Sequence, residues 1–256
     1  MYDRYLGPVL FEPYAADLAR RVAAYGAGPV LEMACGTGIV TQQLRTHLSQ
    51  GVKIVATDLS QPMLDYARTK LTTLQNIDWQ QADIAALPFP DASFSTVVCQ
   101  FGLMFVPDKQ AAFREVRRVL SKGGLFAFNV WDKLVANPFA HIQHETLAKL
   151  FPADPPQFLT PFSFNDHEVL RQLLTTHDFR DVQLETVTLE ARSESAKALA
   201  TGFIQGSPLS AALTERGAAF EPIIDAVTEA LAQHGGATPF RSTLQAVVVT
   251  ARAGGV

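Results

Sequence analysis

Two spacings of apolar residues alternate along the first half of the chain. Short runs of strand length, most of them rich in apolar residues, occur at residues 30–34, 53–58, 77–81, 95–101 and 125–130. Between these runs the apolar positions recur every three or four residues, as at Met63, Leu64, Ala67, Leu71 and Leu74. The second spacing is typical of amphipathic helices. Strands that alternate with helices through short connections predict a mostly parallel sheet covered on both faces.

The pattern changes after residue 132. Proline and phenylalanine interrupt any regular spacing from 133 to 164, so this segment is predicted to be an irregular first lid. Residues 193–240 have helical spacing and are predicted to form a second lid insertion. Two further strands are expected at residues 182–189 and 244–250.

Two further helices are predicted, one at the start of the chain and one between the two lids. Pro13 is expected in the first turn of an N-terminal helix, and residues 1–27 are predicted to form an apolar cap. Asn165 is expected to cap a second helix that ends near His177. The whole chain, 1–256, is therefore predicted to be one α/β domain with a Rossmann-like, doubly wound, seven-stranded and mostly parallel sheet carrying helical lid insertions.

Composition narrows the class of protein. The chain is 48% hydrophobic and 18% charged, and it has no apolar run of bilayer-spanning length. A net charge of −4 disfavours nucleic acid as a partner. Two cysteines, Cys35 and Cys99, have no further thiol at metal-ligand spacing, so neither a disulfide nor a metal site is expected. With no export signal recognised, we expect a cytoplasmic monomer or homodimer that does not bind membranes.

The first strand carries a carboxylate, Glu32, and runs into the glycine turn Gly36-Thr37-Gly38. Glycine lets a ligand approach the backbone, because no Cβ obstructs it. A nicotinamide-binding turn needs a small residue where Thr41 stands and does not require an acid at the position of Glu32, so that interpretation is disfavoured. The Gly-Lys-Ser/Thr of a phosphate-binding loop is absent.

An acid, three residues and then Gly-x-Gly resembles the class I S-adenosylmethionine-dependent methyltransferases, and most closely their ubiquinone and menaquinone biosynthesis branch. The resemblance covers 28–131 motif by motif, which makes 28–132 the expected cofactor-binding half. It implies that S-adenosylmethionine is bound, with S-adenosylhomocysteine as the product. By position, Glu32 would hold the ligand's amino group, and the turn of Ala34, Gly36 and Gly38 would pack beside its methionine moiety.

The resemblance extends to the next two strand ends. Asp58 stands where the family binds both ribose hydroxyls, and Leu59 and Met63 stand where side chains pack on the adenine. Asp83 and Ile84 match the pair that contacts the adenine edge and covers the ring. Because the carboxyl ends of parallel strands share one sheet edge, three acids at successive strand ends predict one site.

The fourth strand end faces the transferable methyl group in this family, so Gln100 and Phe101 should border the reaction. Phe101 to Phe105 would equally suit plain core packing. The Asn/Asp-Pro-Pro-Tyr/Phe signature of exocyclic amino methylation is absent, which lowers the case for DNA or protein-glutamine substrates.

The implied reaction is an in-line methyl transfer to a small, apolar or aromatic acceptor. If a general base is used, His144 and then His141 are the candidates, with His167 also near the first lid. The expected pocket walls, which would equally suit a core, are Tyr2, Tyr5, Trp131 and Phe139. A non-catalytic protein that binds S-adenosylmethionine or a partner with the same fold is the alternative.

Overall fold

The computed structural model describes residues 1–25 and 28–255, so the last two residues of the predicted 1–27 cap lie outside the described residues. The strands are β1 (Val30–Met33), β2 (Ile54–Asp58), β3 (Ile77–Gln81), β4 (Phe94–Gln100), β5 (Leu120–Trp131), β6 (Phe179–Ser193) and β7 (Phe240–Ala253). The helices are α1 (Glu12–Ala23), α2 (Ile39–His47), α3 (Gln61–Lys70), α4 (Lys109–Val119), α5 (Pro138–Leu150), α6 (His167–Thr176), α7 (Ala196–Gly206), α8 (Leu209–Glu215) and α9 (Phe220–Gly235). A π-helical segment, Tyr2–Phe11, precedes α1.

The seven strands form one sheet in the order β3-β2-β1-β4-β5-β7-β6. β1 pairs in parallel with β2 on one side and β4 on the other, and β7 pairs antiparallel with β5. The predicted doubly wound, mostly parallel fold is confirmed. The strand order reverses between β1 and β4, and ligands of open α/β sheets bind at the carboxyl ends of the strands at such a point.

Residue contacts divide the chain into two compact units. The first comprises Met1–Pro13, Asp132–Ser163 and Thr188–Gln245. The second comprises Tyr14–Trp131, Phe164–Val187 and the segment that begins at Ala246. The assignment of all 256 residues to one domain stays a prediction.

The second unit is built around the parallel strands. All four residues of β1 are buried, because helices cover both faces of a central parallel strand. Tyr14 and Leu18 of α1 and Phe113 of α4 are fully buried as well. The carboxylate of Asp108 caps α4 by accepting a hydrogen bond from the N–H of Ala111 at 2.9 Å.

The first unit is helical. α7 packs on α9 and on the π-helical segment, and α5 packs on α9. Gly202 of α7 permits one of these contacts, since a Cβ there would lie 2.8 Å from the side chains of Tyr5 and Leu6. Phe139 of α5 stacks on Phe203 of α7 with ring centroids 5.7 Å apart.

Some predicted elements were wrong in detail. The predicted irregular lid at 133–164 contains the 13-residue helix α5, because Pro138 stands at its first position, where proline is tolerated, rather than inside it. The cap of α6 is Asp166 and not Asn165, because the Asp166 carboxylate accepts from the N–H groups of Glu168 and Val169. β6 and β7 extend beyond the predicted 182–189 and 244–250.

Candidate functional site at the carboxyl edge of the sheet

The ends of β1, β2 and β4 lie side by side in the second unit. Glu32 of β1 pairs with Ala56 of β2, and Met33 pairs with Cys99 of β4. Parallel pairing therefore places the residues that follow β1 next to Asp58 and Gln100, which end the adjacent strands. The structure therefore brings together the ends of β1, β2 and β4, and that their residues form one ligand site with Asp83 and Ile84 stays a prediction.

The glycine turn after β1 binds the carboxylate of Asp58 directly. The N–H of Gly36 donates to Asp58 Oδ2 at 2.8 Å, and the N–H of Ser60 donates to Asp58 Oδ1 at 2.8 Å. Gly36 has φ +54°, and a Cβ built there would meet no atom within 4 Å. The turn therefore fixes the orientation of the carboxylate while the space in front of Gly36 stays open to a ligand.

Gly38 has a different role in the turn. Its φ is +80°, and a Cβ there would come within 2.7 Å of Leu71 Cδ1 and 3.3 Å of Ala67 Cβ. The missing side chain lets the start of α2 pack closely against residues of and just beyond α3. Its predicted contact with a ligand stays a prediction.

Glu32 is a buried acid with an unsatisfied carboxylate. The residue is 1% exposed, and among the described residues neither carboxylate oxygen has a hydrogen-bond partner. Burial raises the pKa of Glu32 to about 8; nearby Thr41 offsets part of the rise without reaching hydrogen-bond geometry, and the charge of Asp58 adds to it. A buried carboxylate without a partner is costly, so this group favours a cationic ligand beside it.

Apolar side chains lie next to Asp58 and on the following strand end. Leu59 is 68% exposed and Met63 is 38% exposed, whereas Ile84 is buried. Asp83 is exposed, and its Oδ1 accepts from the N–H of Ala85 at 2.8 Å. Exposed leucine and methionine beside a fixed carboxylate suit a ligand with a polar group and a flat apolar ring.

The end of β4 forms a tight turn held from β5. Phe101 has φ +51°, a left-handed conformation that bulky residues rarely adopt. Its N–H donates to both the backbone oxygen and Oδ1 of Asn129, each at 3.1 Å. Asn129 Nδ2 also donates to Gln100 Oε1 at 3.2 Å. Sequence reasoning missed Asn129, although a polar residue inside an apolar strand is the same signal that singled out Glu32.

A family profile described as "Methyltransferase domain" matches residues 31–128, which contain the glycine turn, Asp58 and the end of β4. Residues 31–128 are thus similar to a methyltransferase domain, and this segment is called the methyltransferase domain below. The match covers the part of the sheet whose strand ends form the candidate site.

Curated proteins similar to this chain include the ubiquinone/menaquinone biosynthesis C-methyltransferase UbiE of Shewanella oneidensis. The two are 37% identical over 132 residues, which is 49% of each chain. UbiE of Shewanella baltica matches to the same extent. The chain thus spans about half the length of the curated relatives it matches.

Solved structures share the fold of the methyltransferase domain. A putative methyltransferase from Bacillus halodurans has a TM-score of 0.61 at 17% identity, over 94% of this chain and 99% of that one. The [4+2]-cyclase SpnF has a TM-score of 0.59 at 19% identity, over 94% and 80%. At these identities the likeness shows the fold alone.

Three aromatic rings pack beneath the β4 turn of the methyltransferase domain. Phe101 and Trp131 stack with centroids 4.0 Å apart and planes at 3°, and Tyr14 meets both rings edge-on. The Tyr14 hydroxyl donates to the carbonyl of Val187 at 2.8 Å. All three rings are buried, so they hold the turn from below. The prediction that Trp131 lines a pocket stays a prediction.

The candidate histidines lie outside the methyltransferase domain. His141 and His144 belong to α5 in the first unit, and exposed His167 begins α6 in the second. His141 Nδ1 is buried without a hydrogen-bond partner among the described residues. Their part in catalysis stays a prediction.

In the described ranges, 1–25 and 28–255, no three potential metal-ligating side chains cluster. Within the same residues, every helix is too short or too polar to traverse a bilayer.

Proposed function

We propose that this chain is an S-adenosylmethionine-dependent methyltransferase acting on a small, apolar or aromatic acceptor. One observation carries the proposal: the buried, unpartnered carboxylate of Glu32 lies one short turn before Gly36, in front of which there is open space. An ammonium group of the ligand would satisfy that carboxylate, and a charge-assisted hydrogen bond of this kind contributes about 1.5–3 kcal/mol.

The neighbouring residues fit the rest of S-adenosylmethionine. Asp58 is fixed by two backbone N–H groups and each of its oxygens has a further lone pair for a ribose hydroxyl. Exposed Leu59 and Met63 supply apolar surface for the adenine, with Asp83 and Ile84 at the next strand end.

When bound, S-adenosylmethionine supplies a methyl group activated by a positively charged sulfur. Glu32 and Asp58 would orient the two ends of the ligand, and the β4 turn with Gln100 and Phe101 would border the methyl group. Alignment of two reactants alone contributes up to about 7–11 kcal/mol to a barrier, so orientation can supply much of the rate. A base, if the acceptor needs one, would be His144 or else His141.

The nature of the acceptor is inferred from the relatives. The curated relatives are named for ubiquinone and menaquinone biosynthesis, and they match about half of this chain. A hydroquinone-like aromatic ring is therefore the acceptor to test first. A cytoplasmic location, a monomeric or homodimeric state and the absence of nucleic acid partners belong to the same proposal.

The alternative is a protein that binds S-adenosylmethionine without transferring its methyl group. One protein with the same fold, SpnF, is named a [4+2]-cyclase and not a methyltransferase, so the fold by itself does not require methyl transfer. The same site residues would then hold the ligand, but no acceptor would be methylated.

A radiometric assay separates the two. The chain is incubated with S-adenosylmethionine tritiated in the methyl group and, separately, an alkylated hydroquinone, a catechol and an aliphatic amine. We expect label in the hydroquinone product, and loss of label with Asp58→Ala. Asp65→Ala is the matched control, because Asp65 is an exposed acid on α3 bonded to Gln61. Ligand binding without labelling of any acceptor would favour the alternative, and no ligand binding would contradict both.

A further inference from the structure

Asn129 lies at the point where β5 passes the end of β4. It is fully buried, and it pairs in parallel register with Gln100, the last residue of β4. Buried side-chain amides are costly unless they are hydrogen-bonded, so the bonds of Asn129 show what it holds in place.

The side chain of Asn129 holds two consecutive residues. Its Oδ1 accepts the N–H of Phe101 at 3.1 Å, and its Nδ2 donates to Gln100 Oε1 at 3.2 Å. The second bond sets the orientation of the Gln100 amide, because only the oxygen of that amide can accept a hydrogen bond. The first bond supports Phe101 in its left-handed conformation.

The β4 turn in turn abuts the glycine turn. A Cβ on Gly102 would lie 2.5 Å from Ala34 Cβ and 2.9 Å from Cys99 Sγ, so the two turns are already in close contact. Ala34 also has a left-handed backbone, with φ +52°. The missing side chain of Gly102 therefore sets the spacing between the two turns.

We propose that Asn129 is a positioning residue for methyl transfer, acting through Gln100 and the Phe101 turn. The inference rests on the proposed function, since it assumes that this strand end borders the methyl group. Asn129 itself is fully buried, so it would act without touching the ligand. Its loss should reduce turnover more than cofactor affinity, because it misaligns the edge that faces the acceptor while Glu32 and Asp58 stay in place.

Two substitutions separate the two bonds. Asn129→Asp keeps an oxygen to accept the Phe101 N–H but removes the donor to Gln100. Asn129→Leu removes both bonds. Asn137→Asp and Asn137→Leu are matched controls, because Asn137 is also fully buried and bonds backbone groups, including the N–H of Gln245, but lies in the first unit.

The first readout needs no acceptor. Trp131 stacks on Phe101, and the chain has one other tryptophan, Trp79, so a Trp79→Phe background makes Trp131 the sole indole reporter. We expect Asn129→Leu to shift the Trp131 emission in the direction given by Phe101→Ala, which removes the stacked ring. Asn129→Asp should leave the emission unchanged, and neither Asn137 variant should change it.

The second readout separates binding from turnover. With tritiated S-adenosylmethionine and the alkylated hydroquinone, Asn129→Asp should lower kcat about 10- to 100-fold. Its calorimetric Kd for S-adenosylhomocysteine should stay within about threefold of wild type. In a Gln100→Ala background, Asn129→Asp should have little further effect, because the group through which it acts is gone.

Failure of this inference can be distinguished from failure of the proposed function. Absence of ligand binding or methyl transfer by the wild type contradicts the proposed function, and the Trp131 emission still decides whether Asn129 holds the turn. If the wild type is active and Asn129→Asp loses no more kcat than Asn137→Asp, the positioning role is overturned. Unchanged Trp131 emission in folded Asn129→Leu overturns the support of the turn, and additive effects of the Gln100 and Asn129 substitutions overturn the route through Gln100.

Discussion

Ligand binding should be coupled to ionisation of Glu32. Burial raises the pKa of this carboxyl to about 8, so at pH 7 it is about nine-tenths protonated in the free protein. Four side chains interact electrostatically with the Glu32 carboxyl, namely Thr41, Asp58, Cys35 and Cys99. Burial also raises the pKa of both cysteines, that of Cys99 to about 12, so both thiols stay neutral across the neutral range.

The magnitude follows from the gap between pKa and pH. A ligand ammonium would hold Glu32 ionised, so binding at pH 7 should release about 0.9 proton, falling to about 0.5 at pH 8 and 0.1 at pH 9. Ionising the carboxyl at pH 7 costs about 1.4 kcal/mol, which weakens binding about tenfold relative to pH 9. Glu32→Gln removes both effects and loses about 1.5–3 kcal/mol of charge-assisted bonding, most visibly at pH 9.

The assay is calorimetric titration with S-adenosylhomocysteine in two buffers of different ionisation enthalpy, at pH 7, 8 and 9. The slope of apparent enthalpy against buffer enthalpy counts the protons released. Any titration of the ligand's own amino group is common to the wild type and Glu32→Gln, so the difference between them belongs to Glu32. Equal proton release by both proteins at pH 7 would refute the reasoning.

Three further results are expected. In the ligand-free protein the raised pKa of Glu32 contributes stability that is fully present below the pKa of the unfolded state, near 4.5, and is lost as pH rises through the folded pKa of about 8. Thermal unfolding should therefore show the free energy of unfolding of the wild type falling by up to about 5 kcal/mol relative to Glu32→Gln between these two pH values. Parallel stability curves for the two proteins would contradict this expectation. Gly38→Ala should lower the free energy of unfolding in denaturant by about 1–3 kcal/mol, because the added Cβ crowds Leu71, whereas Gly36→Ala should chiefly weaken ligand affinity. A larger loss of stability for Gly36→Ala than for Gly38→Ala would contradict this expectation. Asp108→Ala should cost about 1 kcal/mol by the same unfolding measurement through loss of the α4 cap, and no change would show that the cap bond is unimportant.

The strand ends could be predicted because their signals are local. A carboxylate that interrupts an apolar strand, followed by Gly36-Thr37-Gly38, is visible in nine consecutive residues. Asp58 ends the second predicted strand, and Asp83 follows the third by two residues. The rule that parallel strands share one carboxyl edge then brings the acids together without coordinates.

Asn129 could not be assigned in the same way. Its role depends on the register that pairs it with Gln100, 29 residues earlier, and on the left-handed turn at Phe101. Neither the register nor a positive φ at a phenylalanine follows from the local pattern. The protonation state of Glu32 could not be predicted from the sequence either, because its raised pKa results from burial in the folded protein.

Helix α5 shows a different kind of failure. Closely spaced prolines and phenylalanines suggest an irregular segment, but Pro138 stands at the first helical position, where a missing N–H has no cost. The cap of α6 was misplaced by one residue for a related reason: Asn165 and Asp166 have similar capping propensities, and only the hydrogen bonds to Glu168 and Val169 distinguish them.

The central claim is that the carboxyl edge of β1 and β2 binds S-adenosylmethionine. Calorimetric titration of the wild type, Asp58→Ala and the control Asp65→Ala with S-adenosylmethionine tests it most directly. We predict one site per chain, affinity lowered about 10- to 100-fold by Asp58→Ala and unchanged by Asp65→Ala. Failure of the wild type to bind, or equal binding by a folded Asp58→Ala protein, would contradict the claim.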